Sequence, residues 1–211
     1  MPRDVPYLHA APERVARWAA TLDSHPGCRV GLAWAGNPKH LNDRRRSIPA
    51  GQFLEIANVP GVRFYSLQHE IREGDRAALD ANSTIVRVGE MVDEFADVAA
   101  IVTSLDLVIT VDTAIAHLAG ALGKAVWVLL PFVADWRWLV GQDDCPWYPT
   151  VRLFRQDAAG EWLPVIERVK AALRSLVVGA PRSLSSCAQM VDSRFRGNDG
   201  RGAGMTGWLR E

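Results

Sequence analysis

The chain has 211 residues, 48% hydrophobic and 23% charged, which suits one compact domain of ordinary core capacity and rules out a disordered protein. Lysine plus arginine and aspartate plus glutamate both number 24, so the formal net charge is zero and the broad electropositive surface required by nucleic acid or an anionic membrane is missing. The three cysteines, Cys28, Cys145 and Cys187, are far apart with no CxxC pair; neither a disulfide framework nor a zinc site is indicated, and a reducing cytoplasm fits.

The first fifteen residues, MPRDVPYLHAAPERV, place charges and prolines where a signal peptide needs an apolar core. Residues 12–23 then carry Val15, Trp18, Ala19 and Leu22 at helical spacing after Pro12, and His25-Pro26-Gly27 ends the pattern, so a short amphipathic helix is expected. From Arg29 onward, β-type runs alternate with helical ones. RVGLAW, VRFYSLQ, TIVRVG, DLVITV, AVWVLLP and VRLFRQ read as about six strands. PAGQFLEIAN, a polar stretch, EFADVAAIVTSL, TAIAHLAGALG and EWLPVIERVKAALRSL read as the helices between and after them. Parallel strands need crossover helices and, when buried on both faces, read as continuous apolar runs. The expected fold is therefore α/β, a Rossmann-like doubly wound parallel sheet. The most apolar stretch, 109–133, is interrupted by Asp112, His117 and Lys124, so no membrane span is expected.

Residues 177–211 hold six of the chain's 17 glycines and no sustained apolar period, and DSRFRGNDG resembles the translation of a dispersed bacterial DNA repeat. The expected organisation is 1–26 linker and lead-in helix, 27–176 ligand-binding domain, and 177–211 disordered or non-native tail.

In a doubly wound sheet, ligands sit beyond the carboxyl ends of the strands. Two loops leave that edge with chemistry-bearing residues. AGNPKHLNDRRRSIP, residues 35–49, follows the first strand and carries Lys39, Arg44, Arg45 and Arg46, cations suited to a departing diphosphate or, equally, a solvated charge run. Asp112-Thr113 follows the DLVITV strand at the start of a helix, where unpaired N–H groups and the positive dipole end favour phosphate or sugar hydroxyls. Both are also preferred capping residues. His117, one turn on, can donate to a phosphate or simply pack. Between Pro131 and Pro149 gather Trp136, Trp138, Trp147 and Tyr148, which either stack on a ligand or fill a satellite core. Asp97 reads as a helix cap more simply than as a ribose ligand. GxGxxG after the first strand, GxxxxGK[ST], GxSxG and HExxH are all absent, which disfavours dehydrogenase, P-loop, hydrolase and zincin chemistry.

Taken together, GLAWAGNPKHLNDRRRSIP, FYSLQ, EFADVAAIVTSLDLVITVDTAIAHLAGALGKAVWVLLPFVADWRWL and DCPWYPT resemble the carboxyl-terminal domain of bacterial tetratricopeptide-repeat proteins bearing a family 9, heptosyltransferase-like glycosyltransferase module, over about residues 12–176. VDTAIAHLAGALGK is similar to the Asp-Thr-Gly-x-x-His signature of heptosyltransferases, with Ala114 where they generally have glycine. The resemblance implies the C-terminal half of a two-domain GT-B glycosyltransferase, with donor-binding roles for Asp112, Thr113 and His117, and it supports Lys39 or Arg45 as the cation at the leaving group. It also implies a nucleoside-diphosphate sugar as substrate, no cofactor or metal, and an acceptor site and catalytic base supplied by an upstream domain or partner chain. On this reading the domain is truncated and incomplete alone; a binding-only or vestigial domain and a GT-B sugar-nucleotide epimerase fragment stand as alternatives.

Overall fold

The computed structural model describes residues 4–22 and 27–178. The expected tail therefore lies outside the described residues from 179 onward, as do residues 23–26 at the end of the lead-in helix.

Five strands form one all-parallel sheet: β1 (Cys28–Ala33), β2 (Val62–Ser66), β3 (Leu107–Val111), β4 (Val126–Leu130) and β5 (Val151–Arg155), in the order β2-β1-β3-β4-β5. The chain direction of strand addition reverses between β1 and β3, the topological switch point where such sheets open a crevice. Around the sheet lie α1 (Pro12–Leu22), the short turns α2 (Asp43–Arg46) and α3 (Ala50–Phe53), then α4 (Glu73–Ala81), α5 (Phe95–Thr103), α6 (Ala114–Ala121) and α7 (Leu163–Val178).

LVITV and VWVLL are buried at every position because both sheet faces are covered. Strand alternation divides β3 between two cores. Leu107, Ile109 and Val111 join Trp34, Phe53, Ile56 and the α7 residues Val165, Ile166, Val169 and Leu173, while Val108 joins Trp18, Leu22, Val98, Ile101 and the small residues of α6. The lead-in helix α1 is part of this second core. Its Trp18 and Leu22 are buried, Arg14 pairs with Asp97 at 2.8 Å, and Arg17 pairs with the same carboxylate.

One expected strand is corrected. TIVRVG makes a single parallel bridge, Tyr65 to Val86, on the outer side of β2. The N–H of Val88 then turns back to the Val86 carbonyl, and a 3-10 turn over Gly89–Met91 ends the pairing, with Gly89 so close to Gln68 that a Cβ there would lie 2.5 Å from its carbonyl oxygen. The sheet therefore has five strands rather than six. Cys145 is a free, buried thiol. Among the described residues no helix is long and apolar enough to cross a membrane.

Candidate functional site

The wall of the crevice beyond β1 is built from side chains that satisfy backbone groups. The carboxamide of Gln68 accepts from Ala35 N and donates to Ala35 O, both at 3.1 Å. Gly36 N donates to Ser47 Oγ at 3.0 Å, Ser47 Oγ donates to Asp43 at 2.7 Å, and Arg72 donates to Asp43 at 2.7 Å and to the Gly36 carbonyl at 3.1 Å. Below them the Trp34 indole donates to Asp75 at 3.0 Å, and Asp75 also accepts from Ala50 N at 2.8 Å. Both ends of the 35–49 loop are fastened, and its tip is not. Lys39, Leu41, Arg44 and Arg45 are exposed, and neither Lys39 nor Arg45 has an ion-pair partner among the described residues.

Arg46 behaves differently from its two neighbours. Asp43 is buried, and position 46, three residues on, shares its face of the one-turn helix, while 44 and 45 turn outward. Its guanidinium fills the space over Gly36, where a Cβ would lie 2.8 Å away, and donates to the backbone carbonyl of Asp112 at 2.9 Å. The arginine that joins the two loops across the switch point is thus Arg46, a member of the cationic run that composition alone does not separate from Arg44 and Arg45.

Beyond β3, Asp112 and Thr113 are 7% and 9% exposed. The capping alternative is not what the structure shows: α6 begins at Thr113 with no side-chain cap, and the Thr113 hydroxyl lies instead 3.3 Å from that of Thr110. The carboxylate of Asp112 has no hydrogen-bond partner among the described residues, although its oxygens are not sealed from solvent. A largely buried carboxylate without a partner is costly unless a ligand completes it. Beside it, the first N–H groups of α6 keep their donor capacity and the helix dipole adds positive character.

His117 lies one turn along α6, half-buried, stacked on Trp138 with ring centres 5.2 Å apart at 18°, and its Nδ1 is 3.3 Å from the Tyr148 hydroxyl. Burial holds its pKa below the ordinary histidine value. Asp112 opposes that shift, Arg137 adds to it and Asp135 opposes it. In the 131–149 connection the aromatic residues divide between the core and the surface. Trp138 is fully buried and Tyr148 is 9% exposed, whereas Trp136 is 70% exposed, edge-on to Trp147 at 6.4 Å with Arg137 over its ring. Asp97 is engaged by Arg14 and Arg17 of α1 and does not cap its helix by side chain. Among the described residues, no three His, Cys, Asp or Glu side chains gather as a metal site.

Arg46 thus meets Asp112 at the switch point, Thr113 stands at the start of α6, His117 lies one turn along it, and Lys39 and Arg45 are exposed on the loop after β1. No protein-family model matches the chain. It is 34% identical over 178 residues to Protein FlbA of Caulobacter vibrioides, a match that covers 82% of this chain and only 30% of that relative. Two solved structures superpose on it. The ADP-heptose lps heptosyltransferase II of E. coli does so with a TM-score of 0.60 at 15% identity, over 84% of this chain and 56% of that one. The family 9 glycosyl transferase of Veillonella parvula DSM 2008 does so with a TM-score of 0.61 at 14% identity, over 82% and 54%. The fold is glycosyltransferase-like. The chain spans about half the length of each of these structures.

Proposed function

We propose that this chain is the donor-binding, C-terminal half of a GT-B glycosyltransferase, holding a nucleoside-diphosphate sugar at the β1/β3 switch point. The observation that carries the reading is the Asp112 carboxylate, largely buried and without a hydrogen-bond partner among the described residues, beside an uncapped helix start and an inward-turned arginine. Asp112 accepts from hydroxyls of the sugar or ribose, while Thr113 and the first N–H groups of α6 donate to the diphosphate. As the bond between the anomeric carbon and the diphosphate oxygen breaks, negative charge grows on the leaving group. Arg46 stands against it, and Lys39 and Arg45 reach it from the exposed side of the loop. The acceptor and the base that removes its proton come from a second domain, in the same polypeptide or a partner chain, a division supported by superposition on about half of each matched enzyme. On this reading the donor is a substrate and no resident cofactor is required.

The test is calorimetric titration of the chain with UDP, GDP, ADP and CMP, comparing wild type with an Asp112→Ala/His117→Ala double variant. The expected result is selective binding of one nucleotide that the double variant loses; unchanged affinity in the variant sinks the assignment. Binding without sugar transfer even when the second domain is supplied favours a binding-only domain.

A further inference from the structure

His117 meets the hydroxyl of Tyr148, which in turn meets that of Tyr7 from a distant stretch. Residues 5–8 run along the far end of α6. Tyr7 N and Leu8 N both donate to the Ala121 carbonyl, at 3.0 and 3.2 Å, and Pro6 packs on Gly123, where a Cβ would come within 3.3 Å. This seating brings the Tyr7 hydroxyl to 3.4 Å from that of Tyr148, to which it donates. The Tyr148 ring in turn lies flat on α6 at Gly120, where a Cβ would meet ring carbons at 2.6 Å, and its hydroxyl reaches Nδ1 of His117 at 3.3 Å.

A phenol has one proton to give. The Tyr148 oxygen already accepts from Tyr7, and among the described residues His117 Nδ1 is the acceptor within reach of its own proton. A Tyr148 proton directed at Nδ1 makes that nitrogen the acceptor, and in a neutral imidazole the ring proton then sits on Nε2. Burial favours the neutral ring, and it also raises the Tyr148 pKa, so the phenol keeps its proton. No hydrogen-bond partner for Nε2 is found among the described residues.

We infer that Tyr7 and Tyr148 are positioning residues that fix His117 as its Nε2–H tautomer, presenting a hydrogen-bond donor to an oxygen of the bound diphosphate sugar. The tautomer rests on the donation from Tyr7 to Tyr148; what it donates to rests on the donor-site reading above. The segment before α1 thereby becomes part of the site, through a contact that spans 141 residues.

The experiment is long-range proton–nitrogen correlation NMR on the full chain with nitrogen-15-labelled histidine, the His117 signals being assigned from their loss in His117→Gln. Wild type is expected to show a pyridine-like Nδ1 and a pyrrole-like Nε2. In Tyr148→Phe the two shifts should converge toward the exchanging mixture of free imidazole. Tyr7→Phe, at a site already half-exposed, should move them the same way by less. A protonated Nδ1 in wild type overturns the inference. Shifts unmoved in a folded Tyr148→Phe also overturn it. Titration of the same samples with UDP, GDP and ADP separates the two readings: an Nε2–H ring in a chain that binds none of them keeps the tyrosine relay and sinks the donor site, whereas binding with an Nδ1–H ring does the reverse.

Discussion

Replacement of Gly120 by alanine separates packing from propensity at the centre of the site. Inside a helix, glycine to alanine ordinarily stabilises by about 1 kcal/mol, because alanine has less backbone freedom to lose. Here the new Cβ would lie 2.6, 2.7 and 3.0 Å from three ring carbons of Tyr148. These atoms belong to the body of a ring pinned at its far end by Tyr7 and His117, so a small rotation cannot relieve them. Overpacking of this kind costs about 1–3 kcal/mol, and with three close contacts the upper half of that range applies. The net expectation is a loss of about 1–2 kcal/mol in unfolding free energy, read as a lower urea midpoint with an unchanged m-value. The His117 ring should also become more solvent-accessible as Tyr148 is pushed off the helix. An alanine variant as stable as wild type, or more stable, would show that the ring shifts freely and refute the claim that α6 and Tyr148 are fitted to one another.

Asp75→Ala should be the more damaging change away from the crevice, since it strands the Trp34 indole N–H and the Ala50 N–H in the core at about 1–3 kcal/mol each, measurable by the same unfolding assay. Arg46→Ala should weaken binding of the recognised nucleoside diphosphate by about tenfold or more, roughly 1.4 kcal/mol, and Arg45→Ala by less, in calorimetric titration; the reverse order would return the role to the exposed arginine. Because the folded-state pKa of His117 is lowered, the unfolded chain takes up its proton first as pH falls. Stability present above the unfolded value near 6.5 should decline as the pH drops through it toward the folded pKa, and His117→Gln should flatten the urea midpoint between about pH 7.5 and about pH 5.5. The Asp97 contribution has the same sign but is lost only below the ordinary carboxylate range, so the two windows do not overlap.

The parts of the fold that could be read from the sequence were those where a single physical rule acts alone. LVITV and VWVLL are apolar throughout because both their faces are covered, and Asp112-Thr113 falls at the carboxyl edge because a helix follows directly. TIVRVG obeys the strand alternation yet pairs once, since Gly89 must pass against Gln68 and the chain turns there. In the run 44–46, one charge type occupies three successive positions, and only the burial of Asp43 reveals which arginine turns inward. The contacts of Tyr148 with His117 and with Tyr7 were invisible for a different reason: they join residues 31 and 141 positions apart, and no local pattern marks such a pair. The aromatic loop announced its content but not its division into buried Trp138 and exposed Trp136, because a cluster of large rings fits either environment.

The paired bonds between Gln68 and Ala35 have a further implication. A primary carboxamide that gives one hydrogen and takes another imitates a peptide group, so the side chain stands in for one more residue of a neighbouring strand and continues the parallel ladder past the point where β2 and β1 diverge. The crevice wall is thereby rigid up to Gly36, and whatever adaptability the loop has is confined to its tip, from Asn37 to Asn42. Natural variation or laboratory insertion at that tip can reshape what is recognised above the site without disturbing the sheet, whereas Gln68→Glu, which turns the donor into a second acceptor facing a carbonyl, attacks the frame on which the tip is mounted.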